Sequence, residues 1–183
     1  MTKAIRTRKS ISSQSLIVRS RPGNRQQGQL IFQGRVIRCA LGRSGSGIGK
    51  CEGDGKTPLG RMKLLSVKYR RDRWFIGSVA FKAKPISGND GWCDAVGDRN
   101  YNRSVTLPYP ASHEEMMRKD YLYDLVIVMD YNISRRLTRG GSAIFFHLAR
   151  EDYGPTEGCV AISRRDMHWL LRHLKRGTSM MVV

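Results

Sequence analysis

Short apolar segments rich in β-branched residues, each bounded by Gly, Pro, Asn or Asp, fill the chain from Ser15 onward. They include "SLIVRS", "GQLIFQG", "RVIRCALG", "RMKLLSVKYR", "LYDLVIVMDYN", "SAIFFHLA" and the C-terminal "TSMMVV". Segments of this length between turn-forming residues are typical of β-strands. A chain of 183 residues is long enough to bury one core. The pattern therefore predicts a single, mainly β domain over residues 14–183.

Two segments favour helices instead. "SHEEMMR" places Ser112 three residues before Glu115, and "SRRDMHWLLRHLKRG" places Ser163 three residues before Asp166. A serine three residues before an acidic residue is the pattern of a capped helix N-terminus. The second segment also has four apolar residues at helical spacing: Met167, Leu170, Leu171 and Leu174. The sequence thus predicts one or two helices within the β domain.

The formal net charge is +18, from 33 Lys and Arg against 15 Asp and Glu. Such a charge indicates an anionic partner or surface, such as nucleic acid, an acidic wall polymer or anionic lipid, unless the arginines are singly solvated. Residues 1–13 are basic and polar and are expected to form a mobile tail. The N-terminus lacks the apolar core of a signal peptide, and no apolar run is long enough to span a membrane.

The four cysteines, Cys39, Cys51, Cys93 and Cys159, lie 12, 42 and 66 residues apart. They do not form the closely spaced pairs of a structural zinc site, so no metal or other cofactor is predicted, although disulfides are allowed in an oxidising compartment. The segment "GRSGSGIGK" resembles a phosphate-binding loop only superficially, because Ser44 and Cys51 stand where that loop needs Gly and Ser or Thr. It is predicted to be a flexible loop.

The stretch "FHLAREDYGPTEGCVAI" places His147 and Cys159 twelve residues apart around a Gly-Pro turn. The stretch is either a hairpin that brings the thiol to the imidazole or an ordinary strand, loop and strand. If the two strands are neighbours, as in a hairpin, both side chains lie at the same end of the sheet. An imidazole that takes the proton of a nearby thiol lowers the thiol pKa and makes it a nucleophile. Gly158 allows a tight turn that aims backbone N–H groups at a developing oxyanion. A buried, inert cysteine with a core histidine is the alternative.

Two motifs in this order resemble the L,D-transpeptidase catalytic domain of the YkuD type. "KTPLGRMKL" resembles the family's T-P-x-G entry turn, and "FFHLA" followed by "TEGCVAIS" resembles its histidine and Ser/Thr-x-Gly-Cys segment. The resemblance implies a β-sandwich-like domain in which Cys159 attacks a peptidoglycan stem peptide and forms a thioester. It also implies that His147 is the base, that Gly158 belongs to the catalytic turn, and that no metal is needed.

The chain also departs from the family pattern. Glu157 and Ala161 stand where the family has His before the Gly-Cys pair and Arg or Asn two residues after it. A branch with altered substrate recognition is therefore expected, with Thr156, Glu157 and three residues of "GWCDAVGDRNYNR" as candidate substrate-binding residues: Trp92, Asp94 and Tyr101. That segment is predicted to be a surface loop that lines the site.

Three functions follow from this sequence. The first is transpeptidation of stem peptides, and the second is hydrolysis of the same bond by an L,D-carboxypeptidase or endopeptidase. The third is a basic β domain that binds nucleic acid without catalysis, which the scarcity of aromatic residues on basic strands disfavours. The peptidoglycan reactions predict a location in the periplasm or cell wall, whereas the absence of a visible signal peptide would place the protein in the cytoplasm.

Overall fold

The computed structural model describes residues 15–183 and contains fourteen strands and one helix in that range. The strands are β1 (Ser15–Arg21), β2 (Asn24–Phe32), β3 (Arg35–Ala40), β4 (Ser46–Gly47), β5 (Thr57–Pro58), β6 (Gly60–Tyr69), β7 (Lys82–Pro85), β8 (Asp90–Cys93), β9 (Arg103–Thr106), β10 (His113–Glu115), β11 (Leu125–Met129), β12 (Phe145–Leu148), β13 (Val160–Ile162) and β14 (Ser179–Val182). Helix α1 (Arg164–His173) lies between β13 and β14. The tail predicted for residues 1–13 lies outside the described residues.

Nine strands form the main sheet, in the order β11-β12-β13-β3-β2-β1-β14-β6-β7. The sheet closes on itself because β6 also pairs with β11, with Tyr69 opposite Leu125. The two layers expected of a β-sandwich are therefore halves of one curved sheet. The core contains apolar side chains from both halves, among them Leu16, Leu30, Ile127, Phe146 and Ile162. The predicted mainly β fold is confirmed.

Strands β12 and β13 carry the segment with the candidate dyad, and they are parallel neighbours. Phe146 pairs with Val160, and His147 pairs with Ala161. The idea of a hairpin is therefore wrong: residues 149–159 cross over so that both strands run in the same direction. His147 also lies within β12 rather than at its end, opposite Val126 of β11. Cys159 comes directly before β13, level with Phe145.

Helix α1 begins as the capping pattern predicts. The hydroxyl of Ser163 accepts a hydrogen bond from the N–H of Asp166 at 3.1 Å, which satisfies one free donor of the first turn. Met167, Leu170 and Leu171 are buried against the main core, and the helix ends at His173. None of the helical structure within residues 15–183 is long and apolar enough to cross a membrane.

The second predicted helix, at "SHEEMMR", is wrong. Residues His113–Glu115 form β10, which pairs antiparallel with β8 so that Glu114 lies opposite Trp92. The side chain of Glu114 accepts a hydrogen bond from the Tyr123 hydroxyl, so the segment is fixed by partners distant in the chain. These long-range contacts override a capping pattern that is only local.

Residues 94–102 of the predicted surface loop lie outside strands, but the segment "DGWC" (Asp90–Cys93) before them is a strand. As β8 it forms the centre of a three-stranded sheet in the order β10-β8-β9. Trp92, Cys93 and Tyr101 are all buried. The ring of Trp92 packs edge-on against Phe145, with 5.1 Å between ring centroids. This small sheet thus packs on the outer side of β12, beside the candidate dyad.

Candidate active site

The thiol of Cys159 is held between two backbone groups at the beginning of β12. Its Sγ atom accepts a hydrogen bond from the N–H of Phe145 at 3.3 Å and donates one to the carbonyl oxygen of Ala143, also at 3.3 Å. The residue is only 6% exposed. Phe145 and Trp92 belong to the same apolar cluster as the thiol. The sulfur therefore has a defined position in an apolar environment.

Ala143 in turn is positioned by Asn102. The backbone of Ala143 has a positive φ of 51°, which is uncommon for a residue with a side chain. Its N–H donates to Oδ1 of Asn102 at 3.1 Å, and Nε1 of Trp92 donates to the same oxygen at 3.0 Å. The side-chain amide of Asn102 also donates to the carbonyl oxygen of Tyr131. A chain of hydrogen bonds therefore runs from Trp92 through Asn102 and Ala143 to the thiol.

The imidazole of His147 has a fixed tautomer. Its Nδ1 atom lies 2.9 Å from the carbonyl oxygen of Leu148, which can only accept, so Nδ1 carries the proton. Nε2 is then the unprotonated nitrogen that can act as a base. The ring packs edge-on against Tyr123, with 5.2 Å between centroids. The alternation of strand residues places His147 and Cys159 on the same face, and both line one cavity.

The protonation states differ from the sequence expectation of an activated thiolate. Burial, and to a smaller extent the carboxylate of Glu114, raise the pKa of the Cys159 thiol to about 12. Burial lowers the pKa of His147 to about 4. Both hydrogen bonds of the sulfur within residues 15–183 go to backbone groups and not to His147. The resting site therefore holds a neutral thiol and a neutral imidazole.

The turn before Cys159 is built around Gly158 and Thr156. Gly158 has a φ of 131°, and a Cβ atom there would lie 2.6 Å from the carbonyl oxygen of Lys56, so only glycine fits. The Thr156 hydroxyl accepts from the N–H of Gly158 at 3.2 Å and donates to the carbonyl oxygen of Cys159 at 2.7 Å. Because the N–H of Gly158 already has this partner, it is not a free donor for an oxyanion in the resting site.

The "KTPLG" motif supports the same turn from the other side. Thr57 is completely buried, and its hydroxyl lies 3.4 Å from the carbonyl oxygen of Cys159. The same hydroxyl accepts from the N–H of Gly42 at 2.8 Å. Gly42 also forms a bridge with Thr156. The two motifs found in the sequence are therefore in direct contact around the nucleophile.

A cavity of about 1020 Å³ opens in front of the thiol and the imidazole. Thr156, Glu157 and Asp94, three of the residues predicted to bind substrate, line this cavity. Glu157 forms an ion pair with Arg43 and is largely exposed. Trp92 and Tyr101 are not part of the cavity lining; they are buried behind it. They do not form walls of the groove, although this was predicted. Trp92 instead bonds to Asn102, and Tyr101 bonds to Glu52.

Charged side chains of both signs line this cavity. Two of its carboxylates are held by hydroxyl groups: Glu52 accepts from Tyr101 at 2.6 Å and from Ser142 at 2.8 Å, and Glu114 accepts from Tyr123 at 2.5 Å. Burial raises the pKa of Glu114. The cationic groups of the lining are Arg43, Lys50, Arg118, Lys119 and Arg150. The cavity is thus suited to a ligand that carries both ammonium and carboxylate groups.

Four further residues of this site were not predicted from the sequence: Lys50, Glu52, Asn102 and Glu114. Each lies in the site because the fold brings it beside residues of other strands or turns, and no local motif shows that placement. The segment "GRSGSGIGK", which ends at Lys50, drew attention as a possible binding loop, but its residues predicted only a flexible loop. In the structure β4 of this segment pairs with β5, and Lys50 is buried beside Gly158. The segment is therefore packed into the site.

None of the other three cysteines lines the cavity. All four cysteines carry free thiols; Cys39 and Cys93 are buried, and Cys51 is exposed. Burial raises the pKa of Cys39 to about 12. Within residues 15–183, no group of three or more His, Cys, Asp or Glu side chains is arranged to hold a metal ion.

Comparison with curated proteins gives no significant match. Among solved structures, the chain is similar to L,D-transpeptidase 1 of Mycobacterium tuberculosis, with 11% sequence identity and a TM-score of 0.39. That similarity covers 93% of this chain and 62% of the other protein's chain. The model of the YkuD family, the L,D-transpeptidase catalytic domain, matches residues 13–183. Because this match spans nearly the whole chain, the protein belongs to the family of L,D-transpeptidase catalytic domains.

Proposed function

We propose that the protein is an L,D-transpeptidase that acts on peptidoglycan stem peptides, with Cys159 as nucleophile and His147 as base. The family consists of cysteine-dependent enzymes of peptidoglycan. The observation that carries the proposal is the placement of both side chains on one face of adjacent parallel strands, open to the same cavity. The tautomer fixed by Leu148 leaves Nε2 of His147 available as the base.

In the first half-reaction, the sulfur of Cys159 attacks the carbonyl carbon of the bond between an L-centre and a D-centre. The thiol proton passes to Nε2 of His147, and a tetrahedral oxyanion forms. The carbon–nitrogen bond then breaks, and the leaving amine takes the proton from the imidazolium. The products are a thioester on Cys159 and a free D-amino acid.

The neutral resting state suits this order of events. Because the thiol pKa is high, little thiolate exists before substrate binds, and proton transfer accompanies the attack. The imidazole is unprotonated at neutral pH, since its pKa is near 4. A buried neutral thiol is also protected from oxidation between turnovers.

In the second half-reaction, an amine attacks the thioester. His147 takes a proton from the attacking amine, the second tetrahedral oxyanion collapses, and the sulfur leaves and is reprotonated by the imidazolium. The new peptide bond is the cross-link. If water attacks in place of the amine, the same site performs hydrolysis, so the acceptor decides between the two activities.

The charges of the cavity support a peptide substrate with free ammonium and carboxylate groups. Asp94, Glu52 and Glu114 offer carboxylates to an ammonium, and Arg118 and Arg150 offer guanidinium groups to carboxylates. We assign substrate contacts to Thr156, Glu157 and Asp94. Trp92 and Tyr101 support the site from behind, through Asn102 and Glu52 respectively. Such a substrate places the reaction at the cell wall.

Purified muropeptides provide the test of this proposal. The protein is incubated with disaccharide tetrapeptides, with and without an added D-amino acid, and the products are identified by mass. We expect exchange of the terminal D-amino acid or cross-linked dimers. A tripeptide product alone would assign hydrolysis to the site, and unchanged muropeptides would contradict the proposal.

A further inference from the structure

Lys50 is a buried cation beside the nucleophile. Its side chain is only 3% exposed, and its Nζ atom lies 2.8 Å from Oδ1 of Asp54. A Cβ atom built on Gly158, the residue before Cys159, would lie 3.1 Å from this Nζ. The methylene groups of Lys50 pack over Gly141, where a Cβ atom would lie 2.9 Å from Cε. The ammonium group is therefore held against the catalytic turn.

Burying an ammonium group is costly unless its charge is compensated. Asp54 supplies one negative charge, but its two oxygens also accept hydrogen bonds from the N–H groups of Cys51 and Lys56. These bonds and the contact with Lys50 outweigh the effect of burial on Asp54 and lower the pKa of that carboxyl. Asp54 is thus fixed as an anion, and Lys50 is fixed as its cationic partner.

Two charged residues near the Cys159 thiol act on it in opposite directions. The carboxylate of Glu114 favours the neutral thiol, whereas the ammonium of Lys50 favours the thiolate. His147 and Tyr123 also border the thiol on the same side of the sheet, and both are uncharged at neutral pH because burial lowers the pKa of His147 and raises that of Tyr123. Lys50 is therefore the cation that opposes Glu114 at the sulfur.

We propose that Lys50 is a positioning residue of this reaction, which acts through the nucleophile: its ammonium stabilises the negative charge that develops at Cys159. The inference rests on the proposed function of Cys159 as a nucleophile. Asp54 holds the ammonium in place and partly neutralises it. A cation fixed in a poorly solvated site acts more strongly than one in water and needs no rearrangement during the reaction.

A purely structural role for the Lys50–Asp54 pair makes a different prediction. If the pair only fixes the loop, removal of either partner disturbs the turn, and both changes impair the thiol. If the charge of Lys50 acts on the thiol, the two changes have opposite effects on its ionisation. Removal of Lys50 disfavours the thiolate, whereas removal of the negative charge of Asp54 favours it.

The test measures the rate at which iodoacetamide alkylates Cys159 as a function of pH. All variants carry Cys51→Ala, which removes the exposed cysteine, and peptide mapping identifies the alkylated residue. We expect Lys50→Met to reduce the rate about tenfold at about pH 8, because the thiolate fraction changes tenfold for each unit of pKa. Asp54→Asn should increase the rate by about threefold. Lys50→Arg keeps the charge and should preserve most of the rate.

Lys68→Met is the matched control, because Lys68 is another largely buried lysine that is paired with an aspartate, Asp90, at 3.7 Å. It should leave the alkylation rate unchanged. Thermal unfolding of each variant establishes that it folds, and if Lys50→Met does not fold, the direction of the Asp54→Asn effect decides. An unchanged rate in Lys50→Met, or a slower rate in Asp54→Asn, would overturn the inference.

Turnover of muropeptides separates this inference from the proposed function. If Lys50→Met loses both alkylation rate and turnover in proportion, Lys50 acts through the nucleophile. If the Lys50 variants change the alkylation rate of Cys159 as expected but the wild-type protein does not convert muropeptides, the proposed substrate is wrong and the role of Lys50 stands. If muropeptides are converted at the wild-type rate without the charge of Lys50, the inference fails and the proposed function stands.

Discussion

The hydroxyl of Thr57 lies 3.4 Å from the carbonyl oxygen of Cys159, a residue 102 positions further along the chain. The same hydroxyl accepts the N–H of Gly42. Thr57 therefore joins the T-P-x-G turn to the Gly-Cys turn, and it explains why both motifs occur together in this chain. The nucleophile is held by its own strand and by a loop from the opposite half of the sequence.

Replacing Thr57 with Val should damage the site, because valine has nearly the same shape but cannot hydrogen-bond. The N–H of Gly42 would lose its acceptor in a buried position, which costs about 1–3 kcal/mol of the free energy of unfolding. We expect a lower melting temperature and a reduced kcat with muropeptides. Thr57→Ser keeps the hydroxyl and serves as the control; equal activity of the Val and Ser variants would show that the hydroxyl has no role.

Asn102→Ala should misplace the thiol. Alanine leaves Nε1 of Trp92 and the N–H of Ala143 without their shared acceptor, at a cost of about 2–4 kcal/mol in unfolding free energy. Since Ala143 holds the thiol through its carbonyl group, kcat should fall more than KM rises. Asn100→Ala is the control, because Asn100 bonds to Tyr109 outside the cavity lining. A variant that melts earlier but keeps its kcat would limit Asn102 to a structural role.

The buried imidazole should make the protein sensitive to acid. His147 has a folded pKa near 4, below its unfolded value of 6.5, so the unfolded state binds the extra proton between these values. Stability is therefore complete above about pH 6.5 and decreases as the pH falls toward 4, by about 3 kcal/mol from this residue alone. Urea unfolding of wild type and His147→Gln at several pH values measures it. The difference in unfolding free energy between the two proteins should change with pH only between about 4 and 6.5. If both proteins lose the same stability over this range, the acid sensitivity does not come from His147.

Asp94→Asn should weaken substrate binding with little effect on the nucleophile. Asp94 lines the cavity, and one of its carboxylate oxygens is buried without a hydrogen-bond partner among residues 15–183. We expect KM for muropeptides to rise several-fold while the rate of Cys159 alkylation stays the same. Asp98→Asn is the control, because Asp98 bonds to Tyr109 and Asn100 and does not line the cavity. Equal KM values for both variants would remove Asp94 from the substrate contacts.

The sequence predicts those features that depend on nearby residues. Helix α1 follows from the Ser163 cap and its apolar face, and the strands follow from their composition. The spacing of His147 and Cys159 indicated that the two residues meet, but spacing does not determine strand direction, and the expected hairpin is a parallel pair. Where strand pairing between distant segments determines the secondary structure, local patterns do not predict it. The segment predicted to be a helix, which forms β10, is the example.

The contributions of Lys50 and Asn102 could not be predicted for the same reason. Lys50 is important because Gly158 lies beside it in space, and Asn102 because it accepts from both Trp92 and Ala143. In each of these contacts the two residues are ten or more positions apart in the chain. The thiol pKa likewise depends on burial and on Glu114, neither of which is visible in the residues around Cys159.

The loss of a single sulfur atom should abolish the reaction. We expect Cys159→Ala to convert no muropeptide, and His147→Gln to reduce turnover by several orders of magnitude, because each removes one member of the proton-transfer pair. Cys39→Ala and Cys51→Ala should retain turnover, since neither lines the cavity. Melting curves for all four variants identify any loss that comes from misfolding.

Intact-protein mass spectrometry of the acyl-enzyme shows whether Cys159 is the nucleophile. Wild-type protein is mixed with a tetrapeptide muropeptide without an added D-amino acid and quenched in acid after short intervals. We expect a mass increase equal to the muropeptide without its terminal D-amino acid, located on Cys159 and released by hydroxylamine as expected for a thioester. The same mass increase on another residue, or in the Cys159→Ala protein, would contradict the role of Cys159 as nucleophile. So would the absence of any increase while Cys159 is reduced and muropeptide is consumed.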